Sequence, residues 1–544
     1  MGSYTRKWAA IATGIFLALA FQLALSWYRV NRGYGNEPAG YALDPGTVQD
    51  YDITDRQWTP LGDTAMILFQ TGNLGHIHIS LKEPLKEDTA VVLYFQENPD
   101  SQFDRFRRIC RYMMRGTREA DLTVLPGPWQ SFRLEIRGDF SPEKITLIPA
   151  ADPSSVSAAT IFKQMRLLQT VVFCLFCASG MYLWFGCRKT AAQTRKNNRI
   201  LWLDMLRTLA AVFVIVLHVI EPIMPLLPAG SALYPLTQAA SMISFTCNVL
   251  FIFISGALLL PYRQESVQAF IKKRMAGVVL PLMLYAVFYT RLTCISLVPE
   301  RARLFHYLGA LLRGAVPEAP HLWLVYEIIG LYLAVIPFRY LLKELPERLE
   351  KYLALVILLL LGARTVSAYI GQPFGIHSFF GGWPGIFLLG YLFTRNWMRR
   401  FDGLLVVAGV FSFVLSFWLS GLRADYKSFV CNQSLLMVSM TMALAAGAMR
   451  MDPWLKPLKQ LLSLCSRYSY SVLLIHWYVL NTFIYSGWLS SGLSASLQIL
   501  LPILACLVIS LSLSVITDRL VTDVVKSIGG RLLPHRASGS PPPR

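Results

Sequence analysis

Apolar residues in this chain gather into long runs separated by short polar turns, a pattern of helices built to cross a bilayer. The first run, from about Trp8 to Trp27, follows Arg6 and Lys7. It is long enough to span and longer than the ~7–15 apolar residues of a cleaved signal. It predicts an uncleaved signal anchor over residues 1–29, although Ala24-Leu25-Ser26 has the small-x-small form of a cleavage site. A second run, near 162–186, predicts another span within 161–187. Ten more fall near 202–226, 238–261, 275–296, 321–342, 352–371, 378–396, 402–421, 428–449, 465–488 and 494–517. The expectation is an all-α polytopic membrane protein of about twelve transmembrane helices, ten of them in a core over 201–520.

Residues 30–160 follow another rhythm. AMILFQ, HIHISL, TAVVLYF, SFRLEI and KITLIP are short, rich in β-branched and aromatic residues, and divided by turn residues. They predict an N-terminal β-sandwich-like domain, with a jelly roll as one form. His76 and His78 share one strand face there, but no third ligand lies nearby in sequence, so core or surface histidines are expected rather than a metal site. Scaffolding or glycan docking is the role this domain suggests.

Charge sets the orientation. Net charge is +19, which in a soluble protein would raise nucleic acid as a partner. With 54% hydrophobic and only 15% charged residues, the cations instead read as topology signals in short turns, and no nucleic-acid partner is expected. The linker 188–200, within CRKTAAQTRKNNR, and the turns carrying Arg263, Lys272, Lys273, Arg274, Arg339, Lys343, Arg395 and Arg400 belong in the cytoplasm. The turns near 227–237, 372–377 and 489–493 carry no Lys or Arg, whereas 291–320 and 422–427 depart from the rule. Both termini are then cytoplasmic, the β-domain is extracytoplasmic, and the Pro/Ser-rich tail 521–544 is partly disordered. The location expected is the cell (inner, cytoplasmic) membrane. Of nine cysteines only Cys110 lies clear of the apolar runs, which leaves no disulfide framework. Cys174 and Cys177 have CxxC spacing but sit in an apolar helix, where packed thiols are expected.

Candidate chemistry sits where polar groups interrupt apolar runs. In RILWLDMLRTLAAVFVIVLHVI, 199 to 220, Asp204, Arg207 and His218 fall on one helical stripe. Asp204 and Arg207 are 60° apart, and Arg207 and His218 are about three turns, or ~16 Å, apart. A charge at the bilayer centre costs at least ~2.5–3.5 kcal/mol. The stripe therefore reads as a cavity wall, against the plainer alternative of a buried ion pair and a packed histidine. Glu327 and Arg364 are also intramembrane, as a structural pair or as lining of an acceptor cavity. His476, mid-span, is expected to be a packed histidine.

These stretches resemble the membrane acyltransferase-3 family. Arg207 and His218 match its Arg-x10-His signature, preceded by Leu203–Asp204. NVLFIFISGALLL, with Asn248, Ser255 and Gly256, is similar to the second core helix, and FIKKRMAGVVLP, with Lys272, Lys273 and Arg274, to the turn opening the third. HLWLVYEIIGLYLAVIP, from His321 and Trp323 through Glu327, resembles the family's His-Leu-Trp segment. GIFLLGYLF and SYSVLLIH resemble later stretches. Two departures stand out. Gly277 occupies the second arginine of the Arg-x-x-Arg pattern, and a β-domain precedes the core, with no serine esterase motif in it, where many relatives carry a hydrolase-like domain after the core.

The resemblance implies an integral membrane O-acetyltransferase. It would move an acyl group, most often acetyl from cytosolic acetyl-CoA, to a hydroxyl of a cell-surface or lipid-linked glycan. The donor is a substrate, and no bound cofactor or metal is implied. His218 would be the general base or an acyl carrier, with Arg207 and Asp204 beside it. Arg274, Lys273 and Lys272 would meet the CoA phosphates, and His321, Trp323, Glu327, Ser255 and Asn248 would lie on the acceptor side. The rival reading is a transporter or flippase for a glycan or lipid-linked sugar, which intramembrane charges also suit. A third is a sensor in which the β-domain governs an inactive core.

Overall fold

The structure, a computed structural model, describes most of residues 41–149 and 200–518. The expected spans near 8–27 and 162–186, nearly all of the linker 188–200 and the tail 521–544 lie outside the described residues.

The N-terminal part is rich in strands. These are β1 (Tyr41–Ala42), β2 (Tyr51–Thr54), β3 (Gln57–Pro60), β4 (Thr64–Gln70), β5 (Leu74–Leu81), β6 (Thr89–Gln96), β7 (Arg108–Met113), β8 (Glu119–Thr123), β9 (Ser131–Arg137) and β10 (Pro142–Pro149). Two four-stranded sheets form in the orders β1-β10-β5-β8 and β4-β9-β6-β7, and β2 and β3 make a separate pair. Alternation sends every second side chain inward. Val91, Leu93 and Phe95 of β6 thus lie opposite Ile136, Leu134 and Phe132 of β9, and all six join one apolar core with Ile77, Ile79 and Leu147 of the other sheet. On β5, His78 faces Asp121 of β8 across the ladder and binds it through Nδ1 at 2.7 Å. That contact ties His78 to a carboxylate on the neighbouring strand.

From residue 200 onward the chain is helical. The helices are α1 (Leu201–Ile223), α2 (Leu233–Ser244), α3 (Thr246–Leu259), α4 (Val267–Arg274), α5 (Leu280–Thr293), α6 (Glu300–Arg313) and α7 (Trp323–Lys343). There follow α8 (Glu347–Ile370), α9 (Trp383–Phe393), α10 (Asp402–Leu422), α11 (Lys427–Val430), α12 (Leu435–Met451), α13 (Lys459–Val479) and α14 (Ala495–Thr517). Among the described residues six helical segments are long and apolar enough to cross a membrane, or seven when α12 and α13, bent by 96° at their junction, count as one. The sequence predicts ten core spans. The stretch near 275–296 is helical over 275–293, where a π turn, Met275–Val279, joins α4 to α5 without a break. The stretch near 378–396 is helical but short: α9 has 11 residues, or ~17 Å against a ~30 Å hydrocarbon core.

The short helix α9 is buried because it packs backbone to backbone on α3. A Cβ on Gly256 would lie 1.8 Å from the Phe387 carbonyl oxygen, and one on Gly390 would lie 2.0 Å from that of Phe253. Small residues permit such close approach where lipid supplies no hydrophobic drive between helices.

The β-domain is joined to this helical core. The segment after α5 bridges the edge strands of both sheets, with Cys294 paired to Tyr112 of β7 and Ser296 to Ala120 of β8. Ile295 donates to the Tyr112 carbonyl at 2.9 Å, accepts from the Asp121 amide at 3.1 Å, and packs its side chain against the β-domain core. Ser296, itself buried, accepts from the Met114 amide at 2.7 Å. The two parts share a hydrogen-bonded seam.

Candidate active site

Helix α1 carries Asp204 near its start and His218 about 21 Å further along. Asp204 is buried, and its Oδ1 accepts a hydrogen bond of 2.6 Å from the Ser466 hydroxyl on α13. Arg207 is half-buried one turn on. Helix α13 runs alongside in the same direction, so ten residues beyond Ser466 it brings His476 to His218.

There the structure assembles a histidine cluster. The His218 and His476 rings stack with centroids 5.3 Å apart, and His321 meets His476 edge-on at 4.9 Å. Trp477 stands 5.2 Å from His218, and Tyr289 of α5 stands 5.4 Å from His321. Backbone carbonyls fix two of the rings. Leu473 O lies 2.8 Å from His476 Nδ1, and Leu474 O lies 3.2 Å from His321 Nε2. A carbonyl only accepts, so those nitrogens carry the protons, and His476 Nε2 and His321 Nδ1 are left as lone-pair acceptors. Both of these nitrogens are buried without a hydrogen-bond partner among the described residues. His218 is half-buried, its own backbone carbonyl accepting from the Tyr485 hydroxyl at 2.8 Å. The π turn Leu480–Ile484 after α13 sets the position of Tyr485, and such turns recur at functional sites.

The basic turn lies toward the opposite end, since Arg274 precedes Tyr289 by fifteen residues, or ~22 Å of helix. Arg274 is half-buried, with its guanidinium over the Phe270 and Tyr332 rings at 5.3 Å each and its Nε without a hydrogen-bond partner. Lys272 is exposed, while Lys273 is paired with Glu265. Arg339, expected in a cytoplasmic turn, is buried within α7. It donates to the Leu259 carbonyl at 2.6 Å, pairs with Glu265 at 3.2 Å, and lies over Phe270. Its guanidinium therefore shares an aromatic ring with that of Arg274. The hydrogen bond from Lys273, aided by Arg339, holds the Glu265 carboxyl below its usual range.

A polar cavity of about 380 Å³ opens beside the start of α7. Trp323, Glu327, Arg364, Trp383 and Asn432 are among its lining residues, with the two indoles 5.9 Å apart. Glu327 and Arg364 form no ion pair with each other among the described residues, and both face the cavity. Asn432 has a left-handed backbone, φ 57°, and its side-chain carbonyl accepts from the Asn248 amide at 2.9 Å. Ser255 donates to the Phe251 carbonyl of its own helix at 2.8 Å, a local bond that does not line the cavity. Of the candidate residues, His218 and His321 meet in the histidine cluster, Trp323 and Glu327 line the cavity with Asn248 behind its wall, and Arg274 marks the far end. The sequence does not mark His476, Tyr289, Tyr485 or Asn432 as site residues. Only His476 gave a signal in the sequence, as an imidazole inside an apolar run.

Comparison with curated proteins and with solved structures found no match. A family model described as "Acyltransferase domain" matches residues 200–519, more than half of the 544-residue chain. The matched segment contains the histidine cluster, the polar cavity and the basic turn. With its multiple apolar helices, the chain belongs to the acyltransferase-3 family of membrane acyltransferases.

Proposed function

We propose that this protein is an O-acyltransferase that moves an acyl group, acetyl in the simplest case, from cytosolic acyl-CoA to a hydroxyl of a cell-surface or lipid-linked glycan. The observation that carries this reading is the histidine cluster, in which His218 presents a half-buried imidazole beside His476 and Trp477. The acceptor oxygen attacks the thioester carbonyl while His218 takes the hydroxyl proton. The carbon–sulfur bond then breaks, and the imidazolium returns the proton to the departing thiolate, giving ester and free CoA. A transient acyl-histidine is the alternative course at the same residue.

Arg274 is the donor-binding group, because its guanidinium is positioned by two rings and has no carboxylate partner among the described residues. A planar guanidinium fits phosphate oxygens two at a time. Lys272 contributes long-range charge, and Lys273 acts mainly through Glu265. Asp204 and Arg207 sit between the donor end and the transfer centre, Asp204 anchored by Ser466. Between Arg274 and the histidines, the pantetheine arm would carry the acyl group along the bundle.

On the acceptor side, His321 offers the bare Nδ1, while Trp323 and Trp383 provide flat apolar faces and Glu327 a carboxylate for sugar hydroxyls. Asn248 holds the Asn432 turn that forms one wall. The orientation that follows from the charge pattern puts the β-domain outside the cell membrane and the basic turn in the cytoplasm. We read the two four-stranded sheets as a jelly-roll sandwich, since from β4 to β10 strands adjacent in sequence alternate between them around a shared core, the β6–β7 pair excepted.

The test uses purified full-length protein in lipid with labelled acetyl-CoA. CoA release that depends on added glycan, with label recovered as alkali-labile ester on the glycan, is the expected result. Gradient-driven sugar uptake without ester formation would replace this reading with a transporter.

A further inference from the structure

The matched family segment begins at residue 200, yet one side chain bearing on its histidine cluster comes from the β-domain. Arg108 opens β7, the edge strand on the hydrogen-bonded seam with the helical core. Its backbone amide donates to the Tyr485 carbonyl at 2.8 Å, and its guanidinium lies 4.8 Å from the centre of the Tyr485 ring. Tyr485 is buried and donates through its hydroxyl to the His218 carbonyl. Arg108 thus stands one aromatic side chain away from the proposed base.

Among the described residues the charge of Arg108 has no counterion. No carboxylate is among its partners there; its side chain is hydrogen-bonded to Tyr94 and lies against Tyr485, both uncharged groups. Its Nε is shut off from solvent without a hydrogen-bond partner among the described residues, while the residue as a whole is half-buried, so part of it remains open. Arg133, in the same domain, likewise stacks on a ring, that of Tyr94, but has Glu135 at 2.9 Å. Withdrawing a guanidinium from water without an anion is costly, and stacking on a ring returns only part of that cost. Arg108 is therefore preset to receive an anion at the β-domain end of the site.

We propose that the β-domain forms part of the acceptor site, with Arg108 as its specificity-determining residue, docking a carboxylate or phosphate carried by the acceptor sugar. This inference rests on the acyltransfer reading for the identity of the acceptor, but anion recognition at Arg108 can be tested by binding alone. A glycan with a uronic acid or a sugar phosphate would be held with its anionic group over β7 and a neighbouring hydroxyl toward His218.

The experiment measures equilibrium binding to full-length protein in neutral phosphatidylcholine nanodiscs. The probes are a glucuronic acid–N-acetylglucosamine disaccharide, its uncharged methyl ester, and N-acetylglucosamine 1-phosphate, compared with N-acetylglucosamine. Wild-type protein should bind at least one anionic probe about 10- to 100-fold more tightly than its neutral counterpart. The preferred probe tells carboxylate from phosphate. R108Q should abolish the preference and leave neutral-probe binding in place, whereas R108K should retain part of it. Equal binding of charged and neutral probes by wild type, or an unchanged preference in R108Q, would overturn the proposal. Loss of both charged and neutral binding in R108Q and R108K alike would also overturn it, showing Arg108 to be a structural tie between the two parts. Glycan acylation is scored separately: failure there with charge-selective binding intact removes the enzyme reading and keeps the anion site.

Discussion

His218 on α1 and His476 on α13 stack with their ring centroids 5.3 Å apart and their planes 23° from parallel. His476 is fixed by the Leu473 carbonyl, whereas His218 has no hydrogen bond to its ring among the described residues. One imidazole is thus a fixed wall and the other is free to take a proton. Removing the free one should cost about 10²–10⁴ in turnover, the usual share of a general base. H218A should still bind acyl-CoA, since the donor cations lie toward the other end of the bundle. H476A should lose less turnover than H218A. Single-turnover kinetics with labelled acetyl-CoA, paired with donor binding, checks this; near-normal turnover in a well-folded H218A protein would reduce His218 to packing.

At the far end, Arg274 and Lys273 are adjacent in sequence but differently engaged. Arg274 has two rings and no anion, while Lys273 is committed to Glu265. A charged hydrogen bond is worth roughly 1.5–3 kcal/mol, so R274A should weaken acyl-CoA affinity by about one to two decades. K273A should change it much less. Titration of a non-hydrolysable acyl-CoA analogue gives the answer, and equal effects of the two variants would show a diffuse field instead of a single phosphate clamp.

The α3–α9 crossing predicts a contrast between glycines. Gly256 faces the Phe387 carbonyl, backbone that cannot rotate away, whereas Gly447 on α12 has nothing within 4 Å of an added Cβ. G256A should destabilise by ~1–3 kcal/mol, as overpacked cores do. G447A should be neutral or stabilising by up to ~1 kcal/mol. Thermal unfolding midpoints of the two variants in one detergent make the comparison. A tolerated G256A would mean the helices separate at little cost.

In the β-domain, the hydrogen bond to Asp121 raises the pKa of His78 above its ordinary 6.5, with burial opposing it. A raised folded-state pKa means the stabilisation is fully present below the unfolded value, about 6.5, and is lost as pH rises through the folded value. Both side chains keep some exposure, 31% and 20%, so solvent screening keeps the effect small. Hydrogen exchange along β5 and β8 should therefore quicken between mildly acidic and mildly alkaline pH more than intrinsic exchange predicts. H78Q should flatten that excess; an identical profile in H78Q would assign the pH dependence elsewhere.

Much of this protein was legible in its sequence because bilayer and strand periodicities act locally. Apolar runs between basic turns mark membrane helices, and alternating β-branched residues mark the strand-rich domain, whatever their partners. Asp204, Arg207 and His218 stand out for a similar reason, since lipid makes each polar group conspicuous. Partnership is a different matter. His476 reads as one more packed histidine until α13 is laid beside α1, and Arg339 reads as a turn cation until α7 buries it against Glu265. Glu327 and Arg364 suggest a pair by their charges, yet they line one cavity without joining. The burial of α9 depends on Gly256 and Gly390 letting two backbones touch, and Arg108 gains its meaning only from Tyr485 across a domain seam. Local free energies fix where a helix, a strand or a buried charge can occur. Which of these groups share a site is decided by contacts far apart in the chain, and those form only when the whole fold closes.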